Sequence, residues 1–337
     1  MSVISLLALL HLYVGWRIAP QLPGLAAAVP FVVLLVVSVA LIPAAFLGRR
    51  AHDRSVADRW SWAGMLTLGL FSMLFVSTLL RDLVLLLAWP FHLPTLAAST
   101  ALAVPVLAGL ATLWGLAGAR RTARVRHVDV AVAGLPAALQ GFTIAQITDI
   151  HVGPTVKKAY VRRIVEAVNR LNADAVAVTG DLVDGRVEDL GEDVAPLAEL
   201  RSRHGTFFVT GNHEYYSGAH EWMAQLSTLG LRVLSNEHVV LQHDGATLVM
   251  AGVADYSAHH FVPSHRSDPS RAMRGAPPHA GLRVLLAHQP RSASAAADAG
   301  FDVQLSGHTH GGQYWPFNLL VRLQQPFTAG LHRLRSM

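Results

Sequence analysis

Gly307-His308-Thr309-His310-Gly311-Gly312 is the stretch from which the fold can be read. It follows Val303–Ser306, a run with the length and composition of a short buried strand. Two histidines one residue apart can reach two adjacent metals, and the flanking glycines let the backbone approach closely. A flexible polar tract would explain neither the preceding strand nor the glycine frame. Upstream, four more polar clusters stand at the ends of apolar runs. Asp149-Ile150-His151 follows Phe142–Thr148, and Gly180-Asp181-Leu182-Val183-Asp184 follows Ala175–Thr179. Gly211-Asn212-His213-Glu214 follows Phe207–Thr210, and His288 follows Arg283–Ala287.

Each cluster supplies Asp, Asn or His, which bind divalent metals through oxygen or imidazole nitrogen. Alternate residues leaving a strand point the same way, so Asp149 and His151 can grip one metal. Gly180 permits a tight turn that brings Asp181 to a strand end, where its carboxylate can bridge two cations. Asp184 is expected to hold the loop. Asn212 offers a neutral oxygen, His213 a general acid or a contact to a phosphoryl oxygen, and Glu214 an acceptor to orient His213. Taken alone, Asp149 and Asp181 read better as a helix cap or turn residue, and His288 better as an ordinary structural or surface histidine. Five strand ends that each deliver a ligand favour the joint reading, because active sites of α/β sheets gather at the carboxyl ends of strands.

Thr247–Ala251 reads as a further strand. Val161–Leu171 and Glu221–Leu229 read as helices, and Ser257–Pro278 as a loop. Alternating strands and helices give a layered α/β domain. In this order, D-x-H, G-D-x-x-D, G-N-H-E, a lone H and G-H-x-H resemble the calcineurin-like metallophosphoesterase superfamily over Asp149–His310. With Gln313 closing G-H-T-H-G-G-Q, and apolar segments ahead of it, the chain resembles the bacterial membrane-associated branch. The resemblance implies a four-layer fold with two β-sheets packed between helices. It implies Asp149, His151, Asp181 and His310 as ligands of one metal, and Asp181, Asn212, His288 and His308 as ligands of a second, with Asp181 bridging. His213 would assist the leaving group. Two divalent cations (Mn, Fe or Zn) would activate a hydroxide against a phosphomonoester or phosphodiester. The family continues well past its G-H-x-H, whereas this chain ends at Met337, so a bare edge on one sheet is expected. The remaining histidines, His259 and His260 among them, are read as ordinary.

The first third is of different composition. Hydrophobic residues make up 52% of the chain and charged ones 15%, and the apolar excess lies before Arg120. Val3–Ala19, Leu25–Leu47, Trp62–Leu80 and Leu96–Ala117 are expected to span a bilayer, which takes about 20 apolar residues. His11 and Arg17 interrupt the first, which still reads better as a span than as a signal peptide because no small-residue cleavage site follows. The third is expected to end near Leu80, with Arg81-Asp82 at the interface and Val84–Trp89 interfacial. The expected division is a membrane region over 1–120, a linker over 121–140 and the phosphoesterase domain over 141–337.

Arginines cluster at Arg49, Arg50, Arg54 and Arg59, and again at Arg120, Arg121, Arg124 and Arg126. The positive-inside rule then puts the N-terminus and the catalytic domain in the cytoplasm, on a multi-pass protein of the inner (plasma) membrane. The net charge of +5 is accounted for by such topology signals, and with no recognition motif nucleic acid is not an expected partner. The absence of cysteine excludes disulfides, thiolate catalysis and Cys-based zinc sites. The expected partners are the bilayer and a phosphoester, with a lipid or lipid-linked substrate suggested by the spans. The alternative is a membrane-anchored, metal-bound sensor or scaffold with little turnover. A transporter would need polar residues lining the spans, and these are sparse.

Overall fold

The computed structural model describes residues 2–48, 53–313 and 318–337. It divides into two compact units, Met1–Thr122 and Ala123–Met337. The first is built of α1 (Val3–Ile18), α2 (Leu25–Gly48), α3 (Arg54–Ala88) and α4 (Leu96–Ala119). All four are long and apolar enough to cross a membrane. Ser2 caps α1 by accepting from Ser5 N, and Asp53 caps α3 by accepting from Ser55 N. Val14, Ile18, Phe31, Leu35, Phe71, Leu74 and Val104 pack together between the helices, while Leu110, Leu113 and Trp114 face outward, as suits a surface solvated by lipid. His11 is buried, stacked on Phe71 at 3.5 Å and hydrogen-bonded to Ser38 Oγ at 2.8 Å. Arg49 and Arg50 lie outside the described residues.

The third helix does not end near Leu80. It runs through Arg81-Asp82 to Ala88, because partners on other helices receive both charges. Arg81 is 5% exposed. Its guanidinium donates to Ala97 O at 2.9 Å, Thr100 Oγ1 at 3.2 Å and Arg17 O at 3.3 Å. Asp82 accepts two bonds of 2.8 Å from Arg17 and one of 2.6 Å from Tyr13. Local composition alone could not show that α1 and α4 supply these partners. Asp82→Leu leaves two arginines uncompensated. It is expected to destabilise the helical unit by about 2–3 kcal/mol, below the range for a fully buried pair because Asp82 keeps some exposure. Thermal unfolding in detergent measures this.

Among the described residues, the second unit contains two four-stranded sheets. In chain order its described strands and α-helices are β1 (Ile144–Ile147), α5 (Lys158–Asn169), β2 (Ala175–Val178), α6 (Val187–Val194), β3 (Thr206–Phe208), α7 (Asn212–Ser217), α8 (Ala219–Thr228), β4 (Arg232–Val233), β5 (Glu237–His243), β6 (Ala246–Gly252), α9 (Pro269–Met273), β7 (Leu282–Leu286), α10 (Ala293–Asp298), β8 (Val303–Leu305) and α11 (Asn318–Val321). Strands β1 to β4 pair in parallel. In the other sheet β5 runs antiparallel to β6, and β6, β7 and β8 are parallel.

Alternate residues of β2 face opposite ways. Val176 and Val178 pack on α5, α6 and α8 through Val161, Val165, Leu190 and Trp222. Ala175 and Ala177 pack with Leu248, Met250, Val284 and Leu286 of the second sheet. That sheet's far face, Val249, Ala251 and Leu285, meets Ala272 of α9 and Ala296 of α10. The order is therefore helices, sheet, sheet, helices, and apolar burial on both sheet faces holds it together.

Two strands escaped the sequence reading. Strand β5 buries Val239 and His243 and leaves Glu237, Val240 and Gln242 exposed, so pairing with β6 holds it in the sheet without a continuous apolar run. Strand β4 has two residues. The segment Ser257–Pro278, read as a loop, contains α9, capped by Asp268 accepting from Arg271 N. Strand β8 is a sheet edge, with its three residues half-buried.

Candidate metal centre

Parallel pairing carries the loops after β1 and β2 side by side. Asp149 N donates to Gly180 O and His151 N to Asp181 O, each at 3.1 Å. At Gly180 (φ +85°) a Cβ would lie 2.5 Å from Gly211 N and 2.9 Å from His288 Nδ1, so only glycine lets the loops after β2, β3 and β7 converge. A Cβ at Gly307 would run into Thr148 Oγ1 and Asp149 Oδ2. His308 N instead donates to Asp149 Oδ1 at 2.9 Å, which joins the edge of one sheet to the other.

Asp149, His151, Asp181, His308 and His310 all hold positive φ, between 48° and 72°. Left-handed backbone at a non-glycine residue costs on the order of 1 kcal/mol or more and persists where the surroundings enforce it. Its concentration on candidate ligands sets these loops apart from ordinary turns.

The side chains converge on two clusters. In one, His310 Nε2 lies 3.1 Å from His151 Nε2 and 3.3 Å from Asp149 Oδ1. In the other, His288 Nε2 lies 3.1 Å from Asp181 Oδ2 and 3.2 Å from His308 Nδ1. Asp181 Oδ2 is also 3.8 Å from His151 Nε2, so this carboxylate stands between them. Asn212 Oδ1 is buried and lacks a hydrogen-bond partner.

These donors fit divalent cations. His151 Nδ1 donates to Asp184 Oδ1 at 2.9 Å, and His288 Nδ1 to Thr179 O at 2.7 Å. These bonds orient each ring so that Nε2 points into its cluster, where loss of its proton would free a lone pair for a cation. Burial disfavours a charged His288, yet Asp181 outweighs it and pushes the pKa up to about 9, so positive charge is favoured at that point. Burial, and then a neighbouring histidine, hold His308 and His310 below the ordinary imidazole value, which keeps both as neutral donors. An orphaned amide oxygen completes a set of carboxylate, amide and imidazole ligands suited to Mn, Fe or Zn.

The supporting roles are the reverse of those expected. Glu214 does not touch His213. It sits at the third position of α7, where a capping box turns its side chain back toward Gly211. It is fully buried and accepts from the backbone N–H groups of Asp181 (3.0 Å), Leu182 (2.7 Å), Val183 (3.3 Å) and Gly211 (2.6 Å). Burial and the charge of Asp181 push its carboxyl up to about 7, while Gly211 and Leu182 favour the carboxylate. Asp184, expected to hold its loop, is the residue that orients His213, accepting from its Nδ1 at 2.6 Å. Burial disfavours protonation of His213, but Asp184 prevails and its pKa stands above the usual value. Asp184→Asn is expected to lower kcat about 10- to 100-fold through misorientation of His213 and His151, with the fold intact by circular dichroism.

The sequence profile described as Calcineurin-like phosphoesterase matches residues 142–312, half of the chain and every candidate ligand. The chain belongs to the calcineurin-like phosphoesterase family. A transmembrane protein with metallophosphoesterase domain from Danio rerio is 38% identical over 242 residues, covering 70% of this chain and 55% of its own length. Its Bos taurus counterpart is 41% identical over 250 residues, 71% of this chain and 56% of its own. An uncharacterized metallophosphoesterase of Helicobacter pylori (strain ATCC 700392 / 26695) is 41% identical over 194 residues, 56% of this chain and 50% of its own. The chain thus spans about half the length of the curated relatives it matches. The likeness to membrane proteins of this family agrees with the four long apolar helices.

Proposed function

We propose that the chain is a membrane-anchored, metal-dependent phosphoester hydrolase. The observation that carries this is Asp181, within 4 Å of imidazole nitrogens of both clusters, beside a His213 held by Asp184. Asp149, His151, Asp181 and His310 would hold one divalent cation, and Asp181, Asn212, His288 and His308 the other. When bound, two such cations supply Lewis acidity toward phosphoryl oxygens and lower the pKa of water. The chain's own part in the chemistry falls to His213. With Nδ1–H committed to Asp184, Nε2 is the atom that gives a proton to the leaving oxygen. The oxygen of water ends on phosphorus, the bond from phosphorus to the leaving oxygen breaks, and that oxygen departs as an alcohol. Against the burial of its ring, Asp184 holds the His213 pKa above the usual value, the direction a proton donor requires.

Helices α1 to α4 would place this chemistry at a bilayer. Arg54, Arg59, Arg120, Arg121, Arg124 and Arg126 support a cytoplasmic catalytic unit at the inner (plasma) membrane. A lipid or lipid-linked phosphoester is the substrate class such an anchor would serve.

The test uses detergent-purified chain stripped of metal and reloaded with Mn, Fe or Zn. Chromogenic monoesters and diesters are compared with vesicle-borne phospholipid. Metal-restored turnover that disappears in Asn212→Ala/His213→Ala supports the hydrolase and gives its ester class. Two bound metals without turnover on any of these esters would favour the sensor or scaffold instead.

A further inference from the structure

Beside the candidate centre stands a pair of exposed aromatic rings with no part in metal binding. Tyr216 lies one turn after His213 on α7, their ring centroids 5.2 Å apart. Phe261 meets Tyr216 in a T-shaped contact at 5.4 Å. The two remain 61% and 48% exposed. The adjacent Tyr215 behaves differently. It is buried, and its hydroxyl pairs with His265 Nδ1 at 2.9 Å. One short helix therefore sends one tyrosine to the core and the other to the rim.

The segment bearing Phe261 is pinned. Asp255 is fully buried and accepts from Ser257 N at 2.8 Å and Gln289 Nε2 at 3.1 Å. Ala258 is buried against Tyr215, Ala219 and Ala254. Phe261 also contacts the Tyr215 ring at 6.0 Å. Rings fixed in this way form a shelf before any ligand arrives, which lowers the ordering cost of binding.

We propose that Tyr216 and Phe261 form the subsite for the leaving group, and that this group carries an aromatic ring, any lipid part of the substrate being borne by the phosphoryl group that is retained. The inference rests on the phosphoester reading above, in which His213 protonates the leaving oxygen. Whatever that oxygen carries must then lie alongside the next ring on α7. A ring placed there gains edge or offset contacts beyond its buried area, whereas an acyl chain gains area alone. Neither motif nor spacing pointed to this pair, because Phe261 reaches Tyr216 from a distant loop.

The wild-type chain and Tyr216→Ala/Phe261→Ala, both reloaded with Mn in detergent, are compared on naphthyl, methyl and dodecyl esters of the same phosphate. The double variant is expected to lose about tenfold in kcat/KM on the naphthyl ester, through KM, and less than about twofold on the methyl ester. Tyr216→Phe, which keeps the ring, is expected to retain the preference for the naphthyl over the methyl ester. Equal losses on naphthyl and methyl esters, or none on either, would overturn the subsite. An equal loss on the dodecyl ester would overturn its aromatic character. Calorimetric binding of an inert naphthylphosphonate to the Mn-loaded proteins separates this inference from the hydrolase reading. Binding about tenfold tighter to wild type than to the double variant, with no turnover of any ester, keeps the shelf and removes the hydrolase. Equal binding to both removes the shelf.

Discussion

Asp181→Asn is expected to cut kcat at least about a thousandfold and to leave the chain with less than half its wild-type metal content. The reason is position. Asp181 Oδ2 stands 3.1 Å from His288 Nε2 and 3.8 Å from His151 Nε2, so one carboxylate serves both clusters. Asn keeps the shape and one oxygen but removes the charge that two cations would share. The carboxylate is well prepared for that task. Burial works against its ionisation, yet His288 and the backbone N–H of His213 hold its pKa down to about 2. His213 N can still donate to the amide oxygen at this position, as it does to Asp181 Oδ1 at 2.9 Å, so the fold should survive. Elemental analysis, kcat on a chromogenic ester and circular dichroism together give the answer. Wild-type turnover with full metal content would refute the bridging assignment.

Glu214→Ala should produce the largest loss of stability. Its carboxylate binds four backbone N–H groups from the turns after β2 and β3. It therefore splints the strand ends that carry Asp181 and Asn212. Removing it leaves those N–H groups buried without acceptors, at about 1–2 kcal/mol each, for a total of roughly 4 kcal/mol or more. For a unit of this size that corresponds to a fall in Tm of roughly 8–16 °C. Metal content should drop as well, because the two loops would no longer hold their spacing. The role expected from sequence, orientation of His213, makes a different prediction: an unchanged Tm with a lowered kcat. Differential scanning calorimetry alongside kinetics separates the two.

The exchange of roles between Glu214 and Asp184 shows what local reading misses. Glu214 adjoins His213 in the chain, yet a capping box directs its side chain back along the helix axis. Asp184 lies on another loop, and only the parallel pairing of β1, β2 and β3 brings it within 2.6 Å of His213. The extent of α3 follows the same logic. Arg81-Asp82 looked like a helix end by composition, and remains helical because Tyr13, Arg17, Ala97 and Thr100 answer its charges. Strand β5 hid because it has no clean apolar face: His243 is buried beside Val239 on its inner side, and Val240 is left exposed.

By itself the sequence determined the chemical kinds present and their local setting. Stretches of some 20 apolar residues have no stable home but a bilayer or a deep core, and Asp, Asn or His placed just after buried strands belong at the carboxyl ends of a sheet. Those properties depend on residue type and on neighbours a few positions away. The tertiary structure alone decided which carboxylate steadies which histidine, where α3 stops and which rings border His213. Each of those depends on contacts between residues far apart in the chain, made only when parallel pairing and helix packing bring the segments together.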